Sequence, residues 1–224
     1  GSEMCIRDSI STFRDAGGLW DKYPVAQVAT PEGYARDPEL VINFYNERRK
    51  QLLEVEPNAG HIGVAALEKD FNVTVVTQNI DNLHERAGSQ RIIHLHGELT
   101  KVCSSRDPYN PHYIKELKPE EYEVKLGDKA GDGTQFRPFI VWFGEPVPEI
   151  ERAIGYVEKA DIFVIIGTSM NVYPAAGLLN YVPRTAEVYL IDPKPVDTHT
   201  MRPIHVIQKG ASEGVKELAM MLKG

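Results

Sequence analysis

The run "DIFVIIGT", residues 161–168, decides the fold class. Its central residues are apolar and mostly β-branched, with no polar alternation, and Asp161 and Gly167 bound them. A short run of that kind reads as a strand buried on both faces, which is how strands of a parallel sheet covered by helices look. Four further runs carry the same signature: "VTVVTQN" (73–79), "RIIHLHG" (91–97), "FIVWFG" (139–144) and "EVYLID" (187–192). Amphipathic stretches at 39–55, 60–70, 149–160, 174–182 and 212–223 alternate with them. Strand alternating with helix predicts an α/β fold with a doubly wound parallel sheet. At 224 residues the chain suits one large domain of this kind with a sizeable core.

The segment 101–137 breaks the rhythm, being polar and rich in proline, glycine and charge. A structureless loop of that length is improbable in a compact domain. It is expected to form a small inserted module beside a cleft, with 1–100 and 138–224 making the sheet domain.

Composition excludes several classes. The formal charge is −7, and no basic patch with interleaved aromatics is present, which argues against nucleic-acid binding. The longest apolar runs are far too short to span a bilayer, and no signal-peptide pattern opens the chain, so no membrane partner is expected. Two cysteines, Cys5 and Cys103, give no disulfide framework and fit a reducing cytoplasm.

In a doubly wound sheet, ligands collect outside the carboxyl ends of the strands. Four predicted strands end there in polar or glycine-containing groups: Thr77-Gln78-Asn79, His96-Gly97, Gly144-Glu145 and Gly167-Thr168-Ser169. Each alone is a common way to end a strand; four on one rim point to a site. His94 and His96 share a strand face, being two apart. They can be a metal pair, a base with a companion, or satisfied core side chains. The rim position makes His96 the accessible ring and His94, one pleat deeper, structural. A nucleotide suits this rim: Gly167, Thr168 and Ser169 offer backbone N–H groups and hydroxyls, and Asp192 ends a strand where it can accept from ribose hydroxyls. The glycine-rich G-x-G-x-x-G loop is not found in the sequence.

The stretches "STFRDAGGLW" (11–20), "PNAGH" (57–61), "TQNIDNLHERAG" (77–88), "LHG" (95–97), "RPFIVWFGE" (137–145) and "GTSMNVYPAAG" (167–177), in this order and spacing, resemble the sirtuins, NAD-dependent protein-lysine deacylases. The resemblance implies a Rossmann-like large domain and a small domain, with NAD and an acyl-lysine protein or peptide meeting between them. It implies that the acyl oxygen attacks C1′ of the nicotinamide ribose and nicotinamide leaves. His96 then acts as general base on a ribose hydroxyl, giving free lysine and O-acyl-ADP-ribose. An imidazole with a pKa of about 6.5 suits that task. By the same resemblance Gln78 and Asn79 orient the ribose, Asp81 holds the nicotinamide carboxamide, and Phe13 and Arg14 lie on a loop closing over NAD. Gly167, Thr168, Ser169 and Asp192 line the adenosine side, with Ala211 near the adenine. Val141, Phe143, Gly144 and Glu145 flank the substrate lysine and pair with peptide backbone. Many sirtuins have asparagine where Asp192 stands; either accepts from a ribose hydroxyl.

"FYNERR" (44–49) carries a subclass signal. Tyr45 and Arg48, three apart on a helix, share a face. Read without the family they are a half-buried tyrosine and a surface-paired arginine; in sirtuins that remove succinyl or malonyl groups, a Tyr-x-x-Arg here reads the acyl carboxylate. The reading is a zinc-free, bacterial-type sirtuin taking acetyl- and succinyl-lysine, acting as a monomer.

Two departures matter. Most sirtuins hold the small domain with two C-x-x-C pairs; here only Cys103 remains, so the module is expected to fold without zinc and no metal site is assigned. The family also opens with a strand and a Gly-Ala-Gly loop that cradles the NAD pyrophosphate, where this chain has "GSEMCIRDS". Residues 1–9 read as non-native, and the chain as written is expected to bind NAD poorly. Two rivals follow: a module binding NAD or ADP-ribose without turnover, and a hydride-transferring dehydrogenase, in which the "NID" and "HG" motifs have no obvious role.

Overall fold

The computed structural model describes residues 22–167, 175–197 and 200–224. Within them the strands are β1 (Val75–Thr77), β2 (Ile92–His94), β3 (Gly97–Ser104), β4 (Lys115–Glu116), β5 (Phe136–Ile140), β6 (Ile162–Ile166), β7 (Glu187–Ile191) and β8 (His205–Ile207). The helices are α1 (Val25–Val28), α2 (Pro31–Arg36), α3 (Pro38–Leu53), α4 (Ala59–Ala66), α5 (Leu83–Ala87), α6 (Ile150–Val157), α7 (Ala175–Leu178) and α8 (Ala211–Lys223). Helix starts follow local chemistry. The Asp37 carboxylate accepts from Leu40 N–H with Pro38 in the first turn of α3, and Asn58 and His61 close a reciprocal capping box on α4.

The parallel strands lie in two ladders, β1 beside β2 and β6-β7-β8. They share two helical layers. Ile93, Ile165, Val188 and Leu190 pack with Ala153 and Val157 of α6, and Val76 joins them. On the opposite side Tyr189, Ile191 and Ile207 pack with Val64 of α4 and Val215 and Leu218 of α8, and Val75 and Val164 join those. Alternate residues of both ladders thus face the same two layers, giving the Rossmann-like α/β architecture. Gly214 lets α8 lie directly on β7, since a Cβ there would sit 2.2 Å from Cγ2 of Ile191.

Three expectations change. "FIVWFG" is no parallel strand: β5 ends at Ile140 and pairs antiparallel with β3 in a β4-β3-β5 sheet. An apolar run does not reveal which sheet it joins, and Trp142 is buried in a turn instead. "RIIHLHG" stops as a strand at His94 and turns at Leu95–His96, keeping one bond from Leu95 N–H to the Thr77 carbonyl (2.9 Å). Gly97 takes φ +85° there, and a Cβ would lie 2.1 Å from the Phe139 carbonyl oxygen. Strand β8 had no signal, because His205 and Val206 are exposed on a sheet edge.

The sequence groups everything before 101 with the parallel strands, but packing does not. Val41, Phe44, Tyr45 and Leu52 of α3 share a core with Leu83, Leu99, Ile140 and Trp142, and Ile42 packs with Val102 and Val124. The helical segment 25–53 therefore belongs with the antiparallel sheet. Arg49 bolts them together, donating to the carbonyls of Tyr122 (2.7 Å) and Leu99 (3.3 Å) and to Asn46 Oδ1 (2.6 Å).

Candidate functional site

The loop 78–82 after β1 and the turn 95–96 after β2 form the centre of the rim. Thr77 Oγ1 accepts from Asn79 N–H (3.0 Å) and bends the chain back as the strand ends. Asp81, buried, accepts from Leu83 N–H (3.0 Å) and starts α5. Both histidines of "HLHG" reach adjacent carbonyls of that loop: His96 Nδ1 to Gln78 O at 3.2 Å, His94 Nδ1 to Asn79 O at 2.9 Å. A ring nitrogen facing a carbonyl must carry the proton, so the lone pair of neutral His96 is on Nε2. His96 is half-buried and His94 is buried, with the strand ending at His94 and His96 on the turn after it.

Val141 N–H donates to the His96 carbonyl (2.9 Å), which sets the 141–145 turn beside the histidine. The N–H groups of Phe143 and Glu145 go to Ala29 O and Trp142 O, both at 3.0 Å, so an incoming peptide backbone would pair with carbonyls at these positions rather than those N–H groups. Phe143 is 58% exposed, an apolar lip, and Gly144 takes φ +89°. Glu145 does not face outward as a substrate group. Its carboxylate clamps the Arg137 guanidinium at 2.7 and 3.0 Å and accepts from Trp142 N–H (2.8 Å), while Arg137 lies 3.8 Å over the Trp142 ring. It is a structural anchor of the turn.

On the other ladder, Gly167 closes β6 with φ +59°, its N–H on Ile191 O (3.1 Å), and Asp192 follows β7, buried, with Oδ1 accepting from Lys194 N–H (2.8 Å). Ala211 opens α8, half-buried. Phe13, Arg14, Thr168 and Ser169 lie outside the described residues, as do residues 1–9.

Tyr45 and Arg48 prove unlike. The Tyr45 hydroxyl donates to the Val28 carbonyl (2.9 Å) and accepts from the Trp142 indole N–H (3.1 Å), and burial pushes its pKa up. Its donor is spent inside the chain, which corrects the expectation that it faces a substrate carboxylate. Among the described residues, Arg48, 6% exposed, makes one ion pair, a 3.4 Å contact to the exposed Glu47, and its Nε and Nη1 are buried without a partner. Burial lowers its pKa.

Three polar groups carried no functional signal in the sequence. His61 and His84 meet edge to face at 4.9 Å, and burial pulls both down to about 4, so both are neutral near pH 7. Glu85 bonds His94 Nε2 at 2.5 Å. Glu85, His94 and Glu98 place ligand atoms within 4.8 Å of one another, yet both His94 nitrogens are engaged and Glu98 holds Lys101 at 2.7 Å. In the 101–137 segment, the thiol of buried Cys103 points at the Pro138 carbonyl with its pKa pushed up to about 12 by burial. Ser104 ties the segment: it donates to Asp132 (2.6 Å) and accepts from the N–H groups of Arg106 and Asp107.

A Sir2 family model matches residues 1–174. A Bacteroides thetaiotaomicron protein named NAD-dependent protein deacylase is 82% identical over 222 residues, spanning 99% of this chain and 95% of that protein. A Helicobacter pylori protein of the same name is 46% identical over 218 residues, 97% of this chain and 93% of that one. The fold resembles a solved Sir2 homologue in complex with NAD, with TM-score 0.83, 33% identity, and coverage of 100% of this chain and 87% of the other.

Proposed function

The chain belongs to the Sir2 family and is an NAD-dependent protein deacylase, and from that premise we propose how its residues divide the work. His96 is the general base. The observation that carries this is the 3.2 Å contact from Nδ1 to the Gln78 carbonyl, which selects the Nδ1–H tautomer and so makes Nε2 the basic nitrogen. Gln78, Asn79 and Asp81 stand on the same loop and hold the ribose and the nicotinamide amide.

The donor set fits NAD. Imidazole, amide and carboxylate groups gather at the carboxyl ends of the parallel strands, and buried Asp192 retains Oδ2 for ribose hydroxyls while Oδ1 takes Lys194 N–H. Gly167, Thr168, Ser169 and Ala211 complete the adenosine side, and Phe13 and Arg14 cover the cofactor. NAD supplies an electrophilic ribose carbon and nicotinamide as leaving group. His96 then takes a ribose hydroxyl proton, and Val141, Phe143 and Gly144 present carbonyls to the peptide.

The acyl group includes acidic ones, succinyl beside acetyl. The support is Arg48, a buried guanidinium whose Nε and Nη1 have no partner among the described residues, its charge met only by a 3.4 Å contact to exposed Glu47. Buried donors without partners are costly, and a carboxylate ligand would satisfy them. Tyr45 holds Val28 and Trp142 together beside Arg48 rather than meeting the acyl group. Segment 101–137 acts as a small module that holds its shape through the Ser104–Asp132 bonds, without zinc. The site would work in a monomer in a bacterial cytoplasm, where the free thiol of Cys103 is at home; among the described residues no helix is long and apolar enough to cross a membrane. Nicotinamide release from NAD with acetyl- and succinyl-lysine peptides tests the reading: release with neither peptide, despite NAD binding, leaves a binding module.

A further inference from the structure

His94 presents both ring nitrogens to acceptors that carry no proton. Nδ1 faces the Asn79 carbonyl at 2.9 Å and Nε2 faces Glu85 Oε1 at 2.5 Å. A neutral imidazole donates one hydrogen bond; only the imidazolium satisfies both. The three residues sit on three successive parts of the rim. His94 ends β2, whose parallel partner β1 leads into loop 78–82, and Glu85 lies on α5, into which that loop runs. The loop is thus held at its entrance by the β1–β2 ladder, in its middle through the Asn79 carbonyl, and at its exit through Glu85.

We propose that the His94–Glu85 ion pair is a positioning device, fixing loop 78–82 so that Asn79 and Asp81 meet NAD while His96 holds the neighbouring Gln78 carbonyl. This rests on the reading of that loop as the NAD-binding loop. His94 is then a positioning residue and more than core filling, since its contact is to the backbone of the residue that would meet the ribose.

Two carboxylates facing His94 favour its charged form: Glu85 from α5 and Glu98 from β3. His84, on α5 and neutral near pH 7, and Lys101, held by Glu98, also lie around it and do not favour the charge. Burial pulls the His94 pKa down, but the hydrogen bond and charge of Glu85, the Asn79 carbonyl and Glu98 outweigh it and hold it above the ordinary value. Glu85 is held below its own ordinary value, the His94 bond outweighing burial. As pH rises through the His94 pKa, the ring loses one of its two bonds and the loop loses a tether.

The test is steady-state kinetics of the full chain with an acetyl-lysine peptide and varied NAD, across pH, with melting temperatures alongside. Glu85→Gln and His94→Gln are expected to raise the KM for NAD about 10- to 100-fold, the size of loss that small misplacements cause, with the peptide KM unchanged. Glu85→Gln should also move the alkaline limb to lower pH, because the imidazolium loses its counter-charge, and Glu85→Asp should recover part of both. Should His94→Gln fail to fold, Glu85→Gln, which keeps the shape of the side chain, carries the test. Variants that melt lower yet keep the wild-type NAD KM and alkaline limb would overturn the proposal and leave the pair purely structural. Turnover surviving in His96→Ala would instead overturn the site reading, and it shows independently of the NAD KM.

Discussion

Two polar regions flank the site and are built on opposite terms. At the rim, the His94 nitrogens, His96 Nδ1, Thr77 Oγ1 and an Asp81 oxygen are all tied to backbone or to a neighbouring carboxylate. On α3, Arg48 buries Nε and Nη1 with no partner among the described residues. Its neighbour Arg49 shows that the helix can satisfy a guanidinium: all its bonds go to Asn46, Leu99 and Tyr122, and burial still lowers its pKa only to about 10. A satisfied network costs nothing further when the protein stands empty and keeps its geometry for catalysis. An unsatisfied charge is a standing cost that a ligand can remove. On the proposed reading, the difference separates groups that hold the NAD-binding loop from a group left for a substrate carboxylate.

The largest effect should come from the rim. His96→Ala is expected to lower deacylation by about 10²–10⁴-fold, the usual range for losing a general base, with nicotinamide release on any acyl peptide falling together and circular dichroism unchanged. Loss on one acyl type alone would break the assignment.

Next come the two arginines, which should part company. Arg49→Met should destabilise the fold by about 1–3 kcal/mol, because the buried Asn46 and carbonyl acceptors lose their donor, while the acetyl-to-succinyl ratio of surviving activity stays the same. Urea unfolding reads the first and paired kinetics the second. Arg48→Met should do the reverse. Desuccinylation should weaken by about 2–5 kcal/mol, mainly through KM, as when one half of a buried charged pair is truncated. Deacetylation should hold, and the melting temperature should stay level or rise. Parallel losses on both substrates would make Arg48 another Arg49.

Acid should expose the buried histidine pair that backs the rim. His61 and His84 have folded pKa values of about 4, below the ordinary value. The unfolded chain therefore binds protons first as pH falls below 6.5, and stability is lost between about pH 6.5 and 4, each ring contributing about 2–3 kcal/mol by pH 4.5. His84→Gln, measured by urea unfolding at pH 7.5 and 4.5, should flatten that slope. An unchanged slope would mean the rings gain protons without cost. The smallest effect is expected from chelation: with Ser104 and Asp132 closing segment 101–137, added chelator should leave melting and activity unaltered, whereas a structural zinc would contribute roughly 10–16 kcal/mol to folding. Stoichiometric zinc lost together with the melting transition would reverse that reading.

Much of this was legible in the chain itself. Apolar β-branched runs announced β1, β2, β6 and β7, and amphipathic stretches announced α3, α4, α6 and α8, because these signals are local and set by backbone geometry and burial pattern. Ordered motifs such as "TQNIDNLHERAG" and "HLHG" named the family, since their spacing mirrors a rim of strand ends. What the sequence could not carry was which partner each group finds. That "FIVWFG" joins an antiparallel sheet, that α3 packs with residues 99–142, that Glu145 clamps Arg137, and that Tyr45 is consumed by Trp142 and Val28 all depend on contacts between segments far apart in the chain. His94, read as a core residue, and Glu85, given no role in the sequence, stand nine positions apart on different elements until folding sets one against the other. Residue type sets what a side chain can donate or accept; only the tertiary structure decides whether that capacity is spent inside the protein or kept for a ligand, because burial removes the water that would otherwise satisfy it.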